Sequence, residues 1–140
     1  MNGWMGSRLL YYVGGEGERM VKTLARAVGV LFVVLGVAGL FADSLFGLLY
    51  FDGVRNSVHL IIGLAGILAS GREENAVWFA KMAGIGFVLL GIVGLARPEW
   101  LWQANLTEAE SVLHLIVGAV ASYAGFTAQA IQTVRLGSRQ

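Results

Sequence analysis

Residues 25–40 read ARAVGVLFVVLGVAGL and residues 80–95 read AKMAGIGFVLLGIVGL, so one apolar segment recurs after 55 positions with its glycines in register. The same offset aligns VHLIIG at residues 58–63 with LHLIVG at residues 113–118, and it pairs the two histidines of the chain. Each copy contains two apolar segments of helical length, which is typical of a transmembrane hairpin. The repeat therefore predicts an all-α integral membrane four-helix bundle made of two tandem hairpins.

The composition also indicates a membrane protein. Of the 140 residues, 56% are hydrophobic and only 14% are charged, which is too little polar surface to cover a water-soluble globule of this size. The chain has no cysteine, so disulfides, thiolate metal ligands and cysteine nucleophiles are excluded.

The apolar segments predict one transmembrane domain with short ends. This domain covers residues 21–131, with repeats at about 16–70 and 71–125, and lies between a cytoplasmic or interfacial N-terminal arm (1–20) and a C-terminal tail (132–140). The four helices are predicted at about Val21–Phe41, Gly53–Ser70, Asn75–Ala96 and Glu108–Ile131. A cleaved signal peptide is the alternative for the first helix, but the recurrence of this segment in mid-chain favours a permanent span.

The charged residues indicate the orientation in the membrane. The loops on one side contain only Arg55 and Arg97 as basic residues. All others belong to the side of the two termini and the middle turn: Arg8, Arg19, Lys22, Arg26, Arg72, Lys81, Arg135 and Arg139. Because basic residues favour the cytoplasmic side, both termini are predicted to be cytoplasmic. Both hairpins then cross in the same direction, which predicts a pseudo-twofold axis along the membrane normal.

Small residues recur near one face of the first and third helices, at Gly29, Gly36, Gly39, Gly84, Gly91 and Gly94. In lipid, such faces let helices approach closely and gain dispersion contacts. The spacing leaves open whether each face meets a helix of the same chain or of a second protomer, and a self-contained bundle is favoured.

The second and fourth helices carry signals at their starts. Asp52 and Thr107 occupy equivalent positions as N-caps, and Thr107 with Glu110 forms a capping-box pattern. Arg55 and Glu110 are also equivalent, with opposite charge. An ion pair joining the two halves is one interpretation, and two separate water-facing side chains are the other.

The segment around the first histidine carries a resemblance to a known family. Asn56, His59, Leu60 and Gly63 form an Asn-x-x-His-Leu-x-x-Gly pattern, and His114, Leu115 and Gly118 repeat its second half. The chain resembles small four-span bacterial membrane proteins of unknown function over nearly its whole length. The resemblance implies the four-helix fold and the bacterial inner (plasma) membrane, and singles out the histidines without implying a chemistry. Ser111 departs from the pattern, where such proteins often have Asn.

The two histidines allow three hypotheses. As a ligand pair, His59 and His114 would coordinate haem, a chlorophyll-type pigment or a metal ion, with Gly63 and Gly118 leaving room for a flat macrocycle. As structural residues, they would hydrogen-bond neighbouring helices and set their register. Handling of protons or a solute is the third hypothesis.

Other classes of function find little support in the sequence. No Ser-His-Asp arrangement or phosphate-binding loop is visible, no basic face suits a nucleic acid, and the first and third helices are too apolar to line a channel. We therefore predict a non-enzymatic scaffold or accessory subunit that packs against itself, as a homo-oligomer, or against a larger membrane complex. The alternative is a haem or other tetrapyrrole-binding membrane protein with the two histidines as ligands.

Overall fold

The computed structural model describes residues 3–104 and 106–137, and this part of the chain is mostly helical. Its four α-helices are α1 (Gly3–Ala38), α2 (Gly53–Ala69), α3 (Glu73–Ala96) and α4 (Glu108–Gly137). A 3-10 segment, Pro98–Ala104, joins α3 to α4. Three helices are long and apolar enough to cross a membrane, namely α3, α4 and the Tyr12–Ala38 part of α1. The 17 residues of α2 are apolar but span only about 26 Å, slightly less than a bilayer core.

The first helix differs from its prediction at both ends. It begins at Gly3 rather than near Val21, and it ends at Ala38 rather than at Phe41. Residues 3–20 are therefore helical and continuous with α1. Gly17 in this part of the helix is a close contact with α4, because a Cβ there would lie 2.9 Å from Ile131 Cδ1. The fourth helix likewise continues past Ile131 to Gly137, while residues 138–140 of the predicted tail lie outside the described residues.

Glycines set the distance between the two helices of each hairpin. A Cβ on Gly63 would lie 2.6 Å from the backbone nitrogen of Val33, and a Cβ on Gly118 would lie 2.6 Å from that of Val88. A Cβ on Gly29 would likewise lie 2.7 Å from the carbonyl oxygen of Gly63. These distances leave no room for a side chain, so α1 contacts α2 backbone to backbone, and α3 contacts α4 in the same way.

The remaining predicted glycines lie along the same two contacts. Added Cβ atoms on Gly36 and Gly91 would lie 2.7 Å from Leu60 Cγ and 2.6 Å from Leu115 Cγ, respectively. Gly84 packs against Ser122. The small faces of α1 and α3 therefore meet helices of the same chain.

One of these contacts differs between the two hairpins. Gly39 meets the side chain of Asn56, and Gly94 meets the side chain of Ser111. Asn56 Nδ2 donates a hydrogen bond to the carbonyl oxygen of Gly39, the residue after the end of α1, at 2.7 Å. The Ser111 hydroxyl instead donates locally, to the carbonyl oxygen of Thr107 just before α4, at 2.9 Å.

The loop between α1 and α2 contains a small β-hairpin that the sequence does not predict. Strands β1 (Ser44–Leu45) and β2 (Leu49–Tyr50) pair antiparallel, with Ser44 opposite Tyr50. Phe46 and Gly47 both have positive φ, at 54° and 68°. Two successive residues with positive φ are typical of the tight turns that join antiparallel strands. The loop is thereby folded back toward the start of α4.

The core is narrow, and most of the apolar surface faces outward. One buried cluster joins α1, α3 and α4 through the residues Val21, Ala25, Ala76, Val77, Ala80 and Ala128. A second consists of Val28, Phe32 and Phe87. Only 28–33% of the residues in the apolar windows of the three long helices are buried. An exterior this apolar suits lipid rather than water.

Candidate functional site

An ion pair joins the two hairpins at the start of α2 and α4. Arg55 Nη1 lies 2.7 Å from Glu110 Oε1, and the side chains are 13% and 4% exposed. Arg55 Nη1 also donates to the carbonyl oxygen of Tyr50, and the backbone N–H of Tyr50 donates to Glu110 Oε1 at 3.1 Å. The two residues therefore form a pair with each other, and the same pair holds the β-hairpin.

Both predicted caps are present in the structure. Asp52 Oδ1 accepts a hydrogen bond from the backbone N–H of Arg55, at 2.8 Å. The backbone N–H of Glu110 donates to Thr107 Oγ1 at 3.1 Å, and the backbone N–H of Thr107 donates to Glu110 Oε2 at 2.7 Å. These last two bonds are the two halves of a capping box. Glu110 thus caps its own helix with one oxygen and pairs with Arg55 through the other.

Four aromatic rings pack together about one helical turn beyond this ion pair along α2 and α4. Phe32 and Phe87 stack with centroids 5.0 Å apart and planes 9° from parallel. His59 contacts Phe32 edge-on at 5.2 Å, and His114 contacts Phe87 edge-on at 5.5 Å. The two phenylalanines were not predicted as site residues, although Phe87 follows Phe32 by the repeat length of 55 residues, just as His114 follows His59.

The two histidines differ in their hydrogen bonds. His114 Nδ1 lies 2.6 Å from the carbonyl oxygen of Glu110. A carbonyl can only accept, so this nitrogen carries the proton and Nε2 of the neutral ring is an acceptor. His59 Nδ1 is buried and has no hydrogen-bond partner among the described residues. Leaving a buried polar atom without a partner costs about 1–3 kcal/mol, so the state of His59 needs an explanation.

Both imidazoles line one cavity of about 160 Å³ between the hairpins. Its inner wall includes Phe32 and Phe87, its outer end includes Arg55 and Glu110, and much of the rest is aliphatic. All four helices contribute to it. Tyr50 and Asp52, which are exposed, line its outer end, so the cavity reaches the protein surface there.

Two predicted members of the ligand site lie elsewhere. Gly63 and Gly118 were expected to leave room for a macrocycle beside the histidines. They instead pack against the backbone nitrogens of Val33 and Val88, and they are not among the residues that line the cavity. The space left by their missing side chains is filled by the backbone of the neighbouring helix, so these glycines serve helix packing.

The cavity is small for the cofactors that the histidine pair suggested. An apolar cavity of about 150 Å³ is known to hold a single benzene, whereas a tetrapyrrole has four linked pyrrole rings. Within residues 3–104 and 106–137, no group of three or more His, Cys, Asp or Glu residues is placed to hold a metal ion.

A family comparison covers most of this architecture. Residues 22–127 match the model of a family described as Domain of unknown function (DUF4383). The chain belongs to the DUF4383 family. The DUF4383 match includes both histidines, the Arg55–Glu110 pair and the two phenylalanines. No curated protein and no solved structure matches the chain. The prediction of an uncharacterised family is thus confirmed, and membership supplies no reaction or ligand.

Proposed function

We propose that this DUF4383 protein is a non-enzymatic four-span protein of the bacterial inner membrane that binds a small molecule between its two hairpins. The observation that carries the proposal is the cavity of about 160 Å³ between the hairpins, which both imidazoles line. His114 Nδ1 is bonded to the carbonyl oxygen of Glu110, so Nε2 of this ring is left as a hydrogen-bond acceptor for a ligand. A bound molecule with a donor group would use this acceptor.

The position of the cavity supports the pseudo-twofold arrangement predicted from the repeat. Phe32 stacks on its equivalent Phe87, and Arg55 pairs with its equivalent Glu110. Two equivalent residues that touch each other must lie beside the axis that relates them. The cavity therefore lies near this axis, at the ends of α2 and α4 that we assign to the outer side of the membrane. Both termini are then cytoplasmic.

The chemistry of the lining supports binding rather than catalysis. Glu110 accepts hydrogen bonds from Arg55, Tyr50 and Thr107. Asp52 caps α2 and lies 3.6 Å from Arg55 Nε. A carboxylate that is already bonded in this way is a poor general base, because its lone pairs are committed and its charge is neutralised.

The proposal is tested with fluorobenzene as a probe and fluorine NMR on the purified full chain in detergent. Wild type should bind the probe saturably, whereas Ile62→Phe should abolish saturable binding because Ile62 lines the cavity. Ile61→Phe is the matched control, since Ile61 is the neighbouring residue on the same helix, is 67% exposed and does not line the cavity. Equal binding by all three proteins, or no saturable binding by wild type, would refute the proposal.

A scaffold or accessory subunit is the second candidate, favoured by the length of α1. Its 36 residues extend about 54 Å, well beyond the roughly 30 Å of a bilayer core. A helix that projects from the membrane offers a contact surface to a second copy or to a larger complex. The mass of the gently solubilised particle tests this role, and a monomer without co-purifying protein would argue against it.

A further inference from the structure

The polar groups of the cavity restrict what can bind there. Besides the two histidines, the charged groups at its outer end are Arg55, Glu110 and Asp52. Arg55 and Glu110 neutralise each other at 2.7 Å, and Asp52 is engaged by α2. A charged ligand would enter an apolar space without a free counter-charge, which is costly. The cavity therefore favours a neutral molecule.

The size and walls of the cavity restrict the apolar part of that molecule. A volume of about 160 Å³ is close to that of the apolar cavity that holds one benzene ring. The stacked faces and edges of Phe32 and Phe87 form part of the wall. Aromatic rings pack favourably against such surfaces in offset or edge-on contacts. A single six-membered ring fills this space.

The histidines restrict the polar part. His114 donates through Nδ1 to its own helix, which leaves Nε2 as an acceptor. His59 Nδ1 is buried and has no partner among the described residues, so no bond to the protein sets the tautomer of this ring. The other nitrogen, Nε2, can therefore either donate or accept. A hydroxyl group both donates and accepts, so it can satisfy either imidazole.

From these three restrictions we infer that the ligand is a neutral ring-sized alcohol of the phenol class, with its hydroxyl group at the imidazoles and its ring against Phe32 and Phe87. This inference rests on the proposed function and adds the ligand class to it. Neither a long acyl chain nor an inorganic ion has this combination of size, neutrality and hydrogen bonding.

The experiment compares two probes of equal shape, para-fluorophenol and para-fluorotoluene, by fluorine NMR on the full chain in detergent. Each probe partitions into micelles to the same extent whatever the variant. We therefore compare the phenol preference, defined as the affinity for para-fluorophenol divided by that for para-fluorotoluene, between wild type and His59→Leu. A net hydrogen bond corresponds to about a fivefold change, so the phenol preference should fall by about that factor in His59→Leu. Binding of para-fluorotoluene by His59→Leu shows that the variant is folded.

A measurement on wild type covers the case in which His59→Leu does not fold. Nitrogen NMR of the labelled imidazoles should show the His59 Nε2 signal shift with para-fluorophenol and stay unchanged with para-fluorotoluene. An unchanged affinity ratio, or equal imidazole shifts with both probes, would overturn the ligand class while leaving the binding function standing. Failure of both probes to bind saturably in wild type would overturn the binding function as well.

Discussion

The guanidinium of Arg55 contacts the carboxylate of Glu110 at 2.7 Å, although the two residues occupy equivalent positions in the two repeats. Like charges at these two positions would repel each other and drive the hairpins apart. The opposite charges instead attract, and they hold the start of α2 to the start of α4. The contact also depends on the β-hairpin, whose Tyr50 bonds to both side chains.

Removing one partner of this ion pair should destabilise the protein strongly. Glu110→Gln leaves the largely buried Arg55 with only the half-exposed Asp52 carboxylate, 3.6 Å away, as a counter-charge. Breaking a buried pair costs about 3–5 kcal/mol, and because Asp52 remains, the loss should lie at or below the lower end of that range. Thermal or denaturant unfolding in detergent measures the loss. Glu99→Gln is the control, because the Arg97–Glu99 pair is exposed and should contribute less than about 1 kcal/mol. A similar loss of stability in the two variants would show that burial does not strengthen the Arg55–Glu110 pair.

The two glycines of α3 that differ most in their surroundings should respond in opposite directions to alanine. A Cβ on Gly84 would lie 2.5 Å from the backbone nitrogen of Ser122, whereas a Cβ on Gly86 meets nothing within 4 Å. Gly84→Ala should therefore cost about 1–3 kcal/mol through overpacking. Gly86→Ala should gain up to about 1 kcal/mol through helix propensity. Unfolding of both variants beside wild type decides this, and equal stabilities would mean that α3 and α4 are not in backbone contact.

The two histidines should differ in their effect on stability when the protein is purified free of small molecules. His114→Leu removes a hydrogen bond to Glu110 and should cost about 0.5–1.5 kcal/mol. His59→Leu removes a buried nitrogen that has no partner, so it should be neutral or stabilising. Each substitution also loses one edge-on contact with a phenylalanine, so the comparison isolates the hydrogen bond. The same loss at both sites would show that His59 is satisfied within the protein.

The proposed orientation has a direct test in cells. A reporter that is active only in the cytoplasm should be active when it is fused after Gln140 or inserted after Gly71. It should be inactive when inserted after Gly47 in the β-hairpin. This pattern follows from the excess of basic residues at the termini and the middle turn. Activity at Gly47 together with silence at the other two positions would reverse the assigned sides.

Local interactions explain which features could be predicted. Apolar periodicity, the glycine faces and the caps at Asp52 and Thr107 depend on residues only three or four positions apart, so their signals survive in the linear order. The start of α1 was predicted too late for a related reason. Glycines lower the helix propensity of this segment, but α1 continues through Gly14 and Gly17, where α4 approaches it.

The amino-acid sequence by itself determined the membrane character, the apolar helical segments, the helix caps and the equivalence of His59 and His114 in the repeat. Only the tertiary structure decided that Arg55 reaches Glu110, that Phe32 stacks on Phe87, and that Gly63 serves packing rather than a ligand. These contacts join residues far apart in the chain and depend on how each helix is rotated about its axis and where two helices cross. A shift of one residue along a helix turns a side chain by about 100°, which the apolar pattern tolerates and a cavity does not.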